Sequence, residues 1–90
     1  MRIDRFLHCI RLLKTRTLAQ GLVEEGHVRI DGKRVTRAAA EVRAGSVIAF
    51  PLHDRVRVLR VLSLPNRRGP AAEARGHYEE LGVDEPKPAT

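Results

Sequence analysis

An Asp-Gly pair stands between two short alternating runs, Val28-Arg29-Ile30 and Lys33-Arg34-Val35. A two-residue reversal needs residues that accept a left-handed backbone, and Asp-Gly supplies them. The pair therefore predicts an antiparallel hairpin in the first half of the chain. What precedes it has a different period. Ile3, Phe6, Leu7, Ile10 and Leu13 recur at helical spacing, which predicts a helix over residues 2–13 with one face in a core. Asp4, His8 and Arg11 fall on its opposite face.

Lys14-Thr15-Arg16-Thr17 interrupts that helix and opens a second. Thr15 or Thr17 caps it, and Gln20 follows Thr17 at the spacing of a capping box. Leu18, Ala19, Leu22 and Val23 form its apolar stripe. Gly26 ends it, as glycine does in the left-handed position after a helix. Residues 36–44 are irregular, with a short turn at Ala38-Ala39-Ala40. Strands are predicted over Ser46–Phe50, closed by Pro51, and over Val56–Leu62. Pro70 suits the first turn of a helix over Ala71–Leu81.

These elements give an α+β fold, with two short N-terminal helices packed on a small, mostly antiparallel sheet and a C-terminal helix. The chain of 90 residues suits one small domain. Its expected divisions are residues 1–65 as the folded unit, 66–81 as linker and C-terminal helix, and 82–90 as a disordered tail.

Charge is unevenly spread. Residues 1–70 carry 15 Lys and Arg against 6 Asp and Glu, while residues 71–90 carry 2 against 5. Of the 17 basic residues, 14 are arginine, whose planar fork matches phosphate oxygens. Arg2, Arg5, Arg11, Lys14, Arg16, Lys33, Arg34 and Arg37 all lie within the first 37 residues. A hairpin beside two short helices gathers several of them on one face, the electrostatic footprint of a nucleic-acid partner. The second helix start adds its free N–H groups and the Thr15 hydroxyl.

Other chemistries find little support. Cys9 is the only cysteine, which excludes an internal disulfide and a cysteine-based zinc site. His8, His27, His53 and His77 lack ligand spacing, so no metal and no cofactor is expected. Asp4 and His8 share a helical face, but no nucleophile accompanies them, and no catalytic residue is assigned. No Gly-rich phosphate loop is present. Three aromatics, Phe6, Phe50 and Tyr78, leave little for base stacking, so contacts should rest on phosphate, 2′-hydroxyl and shape. No secretory signal and no membrane-length apolar run is visible. A soluble, cytoplasmic, monomeric protein is expected.

The stretch MRIDRFLHCIRLLKTRTLAQGLVEEGHVRIDGKRVTRAAAEVRAGSVIAF, residues 1–50, resembles the RNA-binding domain named after small-subunit ribosomal protein S4. The resemblance rests on the Arg-Ile-Asp start, the Lys-Thr-Arg-Thr-Leu-Ala helix opening, Val28-x-Ile30-Asp-Gly, and Val42-x-x-Gly-Ser-x-Ile48. It implies that structured RNA docks on the second-helix start together with the hairpin (the αL motif). RRGPAAEARGHYEEL, residues 67–81, resembles the segment after the sheet in the heat shock protein 15 family. That family has tryptophan at the positions of Phe6 and His8, and a longer basic tail. The second resemblance implies ribosomal RNA of the large subunit as partner, in recycling of stalled nascent-chain complexes, with transfer RNA as a further contact. Arg5, Lys14, Thr15, Arg16, Lys33 and Arg34 are then the main RNA-binding candidates, and Arg2, Arg11, Arg37, Arg67 and Arg68 the secondary ones. Charge alone leaves DNA open as a partner. The same domain also occurs as an appendage of RNA-modifying enzymes, whose catalytic domain these 90 residues have no room for.

Overall fold

Ile3, Phe6, Leu7 and Ile10 are buried together in the core, as their spacing predicts. The computed structural model describes residues 1–84. In chain order they form α1 (Ile3–Cys9), α2 (Arg16–Glu24), β1 (Val28–Ile30), β2 (Lys33–Val35), β3 (Val47–Leu52), β4 (Arg55–Val61), α3 (Ala71–Arg75) and β5 (Tyr78–Asp84). The strands make one antiparallel sheet in the order β2-β1-β3-β4-β5. The α+β class, with two N-terminal helices on a sheet and a C-terminal helix, is the one the sequence predicts.

α1 is shorter than its periodicity suggests. It stops because Arg11 adopts φ +66°. The Arg11 N–H then donates to His8 O at 3.0 Å, and the Leu12 N–H to Leu7 O at 3.3 Å. This is a Schellman motif, with arginine where glycine is usual. α2 ends the same way with Gly26 at φ +82°, its N–H on Val23 O at 2.9 Å and that of His27 on Leu22 O at 3.3 Å. At its start, Thr15 is the cap and its Oγ1 accepts from the Leu18 N–H at 3.1 Å. Gln20 makes no capping box with Thr17; it reaches α1 instead. The predicted stripe of α2 also splits. Ala19 and Val23 are buried against the core, while Leu22 is half-buried and Leu18 is exposed.

The Asp-Gly hairpin forms as predicted, with Val28 opposite Val35, Arg29 opposite Arg34 and Ile30 opposite Lys33. Asp31 (φ +51°) and Gly32 (φ +84°) are both left-handed, the signature of a type I′ turn. The turn is tied to β3: the Asp31 N–H donates to Val47 O at 2.7 Å and its Oδ1 accepts from the Val47 N–H at 2.9 Å. A second two-residue turn, His53-Asp54, joins β3 to β4 without any glycine, at φ +52° and +66°.

Two expectations need correction. Pro51 does not close β3; it lies inside the strand opposite Val56. In a two-residue hairpin Leu52 and Arg55 are the hydrogen-bonded pair, so the next residue out turns its nitrogen away from β4. The far side of β3 is covered there by nothing longer than β1, which pairs only at Ala49 and Ile48, so no ladder bond is lost. The predicted helix over 71–81 is also cut short at Arg75. Tyr78–Asp84 instead pairs with β4, with Tyr78 opposite Val61 and Glu79 opposite Arg60. β4 would otherwise be a bare sheet edge, and pairing outweighs the helical preference of Glu79-Glu80-Leu81. Residues 82–84 thus belong to a strand rather than to a tail. The remainder of the expected tail lies outside the described residues.

Candidate nucleic-acid interface

Asp4 organises the junction between α1 and α2. The sequence places it on the outer face of α1, yet its side chain has no solvent exposure. Arg2 grips it with a fork, Nε to Oδ1 at 3.0 Å and Nη2 to Oδ2 at 3.1 Å. Arg16 Nε lies 3.4 Å from Oδ2, and Gln20 Nε2 donates to the same oxygen at 3.3 Å. The Arg5 N–H donates to Oδ1 at 2.7 Å. Burial alone would raise the Asp4 pKa. The bonds from Arg2, Gln20, Arg16 and the Arg5 amide outweigh it and hold the carboxyl below its usual value. Asp4 is thereby committed to positioning arginines, which removes it as a proton-transfer partner for His8.

The predicted cations do not all stand free. Three of them strap residues 66–69 across α1. Arg5 Nη2 donates to Asn66 O at 2.8 Å, Arg11 Nη1 to Gly69 O at 2.9 Å, and Arg68 Nε to His8 O at 3.1 Å. Each spends one of five guanidinium N–H donors this way and keeps the rest. Arg67 pairs with Glu73 at 3.2 Å. Lys14 is exposed and makes no ion pair among the described residues. His8 sits among Arg11, Arg16 and Arg68. Its burial, and then the three positive charges, push its pKa below the ordinary histidine value.

A second basic group lies on the hairpin, at the opposite end of α2 from Lys14, Thr15 and Arg16. Lys33, Arg34 and Arg37 are exposed. The stem of Arg34 covers the helix-closing glycine: a Cβ built on Gly26 would lie 3.6 Å from Arg34 Cδ. Arg37 follows β2, in the turn where the Ala40 N–H donates to Arg37 O at 2.9 Å. Arg29, which is not among the predicted RNA-binding residues, joins this group. It stands directly opposite Arg34 across the hairpin, a like-charged pair at a close, non-hydrogen-bonded position. Counting outward from Asp31-Gly32 would have revealed it.

The arginines of β4 are treated differently. Arg57 pairs with Glu80 and Arg60 with Glu79 at 3.2 Å, both across β5. The bond from Glu80 is the main reason the Arg57 pKa rises above its ordinary value. Arg57 and Arg60 are thus neutralised one for one, while Arg55 at the start of β4 is exposed; at the α1–α2 junction Arg2 and Arg16 share the single carboxylate of Asp4, and Lys14 and the hairpin residues Lys33, Arg34 and Arg37 are exposed. Among the described residues, no group of three His, Cys, Asp or Glu is placed to hold a metal. No helix there is long and apolar enough to cross a membrane.

A family model for the S4 domain matches residues 1–48, the stretch that holds both basic groups except Arg67 and Arg68. The chain belongs to the S4 domain family. Over 48 residues this S4 chain is 44% identical to small ribosomal subunit protein uS4 of Limosilactobacillus fermentum, covering 53% of this chain and 24% of that protein. Over 80 residues it is 35% identical to a heat shock protein 15 homolog of Aeromonas salmonicida, covering 89% of this chain and 60% of that protein. Heat shock protein 15 of Escherichia coli K12 is 31% identical over the same length. The chain therefore spans about a quarter of the uS4 relative and 60% of the heat shock protein 15 homolog. The trimeric structure of Vibrio cholerae Heat Shock Protein 15 matches with a TM-score of 0.86 at 29% identity, over 91% of this chain and 82% of that one. Likeness to that group thus extends past the S4 domain.

Proposed function

We propose that this S4 chain is a non-catalytic RNA-binding protein that docks on structured ribosomal RNA of the large subunit, in recycling of stalled nascent-chain complexes. Its phosphate contacts come from Arg5, Lys14, Thr15, Arg16, Lys33 and Arg34, aided by Arg2, Arg11, Arg37, Arg67 and Arg68. The observation that carries the reading is the partition of charge. Glu80 and Glu79 on β5 each neutralise one arginine of β4, Arg57 and Arg60, whereas at the helix junction one carboxylate serves both Arg2 and Arg16, and Lys14 and the hairpin cations Lys33, Arg34 and Arg37 are exposed. Asp4 takes the place of a solvent ion there and fixes Arg2 and Arg16, so that less side-chain entropy is lost when phosphate binds. The likeness to heat shock protein 15 proteins supports the ribosome as the setting.

The test is sedimentation of cell extract through a sucrose gradient, with immunodetection of the chain and of a Lys14→Ala, Arg16→Ala double variant. Co-migration of the native chain with large subunits, lost in the variant, is the expected result. Migration of the native chain at the top of the gradient overturns the ribosomal assignment.

A further inference from the structure

Leu18 is 55% exposed, the most exposed large apolar side chain among the described residues. Its exposure follows from the geometry of α2. Ala19 and Val23, four apart, form the ridge that packs on the core, and Leu18 and Leu22, also four apart, form the next ridge around the helix. Leu18, together with Leu13, lines two adjoining grooves, and Leu22 lines the smaller of them. The larger, of about 520 Å³, has Leu12, Leu13, Leu18 and Leu52 on its walls and Arg11, Lys14, His53 and Arg68 on its rim. That volume falls within the range of roughly 300–1,000 Å³ typical of small-ligand clefts. No carboxylate lines it; Glu25 lines the smaller groove, of about 300 Å³.

An apolar floor under three permanent cations fits a ligand that is flat and apolar on one side and anionic on the other. We propose that this groove takes one unpaired nucleobase of the bound RNA, with the adjoining phosphates on Arg11, Lys14 and Arg68. The inference rests on the RNA-binding function proposed above. Three features favour a base. Lys14 and Arg11 already belong to the basic junction, so a strand lying there reaches the groove without a break. Arg68 and Arg11 present planar guanidinium groups, on which bases stack in the absence of aromatics. Phe6 and Phe50 are buried in the core, so leucine and arginine supply the contact that aromatic side chains supply in other RNA binders. Few hydrogen-bonding side chains converge on the floor, so the groove distinguishes unpaired from paired bases rather than one base from another.

The test uses two RNA hairpins of equal length, one fully paired and one carrying a single unpaired purine, titrated at fixed salt against the native chain, Leu18→Ser and Leu18→Gln. Leu18 is exposed, so both variants should fold, which thermal unfolding checks. The native chain should bind the bulged RNA about fivefold more tightly, the lower end of what one stacked base contributes, and both variants should lose that preference while binding the paired RNA unchanged. A 2-aminopurine at the unpaired position should change fluorescence with the native chain and not with the variants. Equal binding of both RNAs by the native chain, or a preference that survives in the variants, overturns the groove assignment and leaves RNA binding standing. Binding of neither RNA removes both, and would point to an acidic polypeptide as occupant.

Discussion

The Nε atom of Arg16 lies 3.4 Å from Oδ2 of Asp4, a side chain with no solvent exposure. One carboxylate on α1 thereby fixes the first residue of α2, and both helices meet around it. Removing its charge leaves Arg2, Arg16 and Gln20 pointing donors at an amide. Breaking a fully buried pair costs about 3–5 kcal/mol. The two arginine heads are partly in water, so Asp4→Asn should cost about 2 kcal/mol, read by urea unfolding. A loss within 0.5 kcal/mol, the spread of ordinary surface changes, would show that Asp4 organises nothing.

Asp4 also sets an acid limit. Its folded pKa lies below the ordinary 3.8. The stability it contributes is therefore fully present above pH 3.8 and is lost as pH falls through the folded value. Unfolding free energy measured downward from pH 5 should drop in that window for the native chain. The same curve for Asp4→Asn should be flatter; parallel curves would contradict the assignment.

His8 works in the other direction. Its folded pKa lies below 6.5, because of burial and then Arg68, Arg16 and Arg11. The unfolded chain binds the proton more tightly, so stability falls as pH drops below 6.5 and stops falling below the folded value. A phosphate bound among those arginines would screen them and raise the His8 pKa. RNA binding should then take up a proton, and affinity should rise from pH 7 to pH 5.5 more steeply for the native chain than for His8→Gln. Identical pH profiles would remove His8 from the interface.

Arg11 occupies a left-handed position at which its counterpart after α2 is Gly26. A side chain there costs about 1–2 kcal/mol. Arg11→Gly and Arg11→Ala both lose the bond to Gly69 O, but only glycine relieves the backbone. The glycine variant should be more stable than the alanine variant by about 1 kcal/mol. Both should bind RNA more weakly than the native chain. Equal stability of the two variants would mean that the backbone there carries no strain.

Arg29 and Arg34 face each other across the hairpin. Like charges so placed cost a few tenths of a kcal/mol, and Arg29→Thr should recover about that much. If phosphate is what sits between them, the same change should weaken RNA binding severalfold. A variant that is more stable and binds RNA as well as before would leave the pair without a function.

The elements set by neighbours in sequence were the legible ones. Asp31-Gly32 needs only its own two residues to fix a turn, and Ile3, Phe6, Leu7 and Ile10 need only their spacing to mark a buried face. What stayed hidden depends on partners far along the chain. β5 forms because β4 offers an open edge, so Glu79 and Glu80, good helix formers, sit in a strand opposite Arg60 and Leu59 and pair their carboxylates with Arg60 and Arg57. Asp4 looks solvated by its polarity, and its partner Arg16 comes from another helix. Leu18 has the spacing of a core residue and misses the core by one ridge. For the interface, residue types pointed to the cations, but the division between strapping arginines and free ones appeared only in the folded chain.

The salt dependence of RNA affinity tests the central claim most directly, measured for the native chain, Lys14→Gln and Arg57→Gln between 50 and 300 mM salt, a span that includes roughly the 50–200 mM range over which such slopes are defined. With roughly six phosphates neutralised, the log–log slope should be about −4, at roughly −0.7 per contact. Lys14→Gln should make the slope shallower by about 0.7, while Arg57→Gln, whose charge Glu80 already neutralises, should leave it unchanged. A native slope near zero, or equal slopes for all three chains, would contradict phosphate docking on the α1–α2 junction.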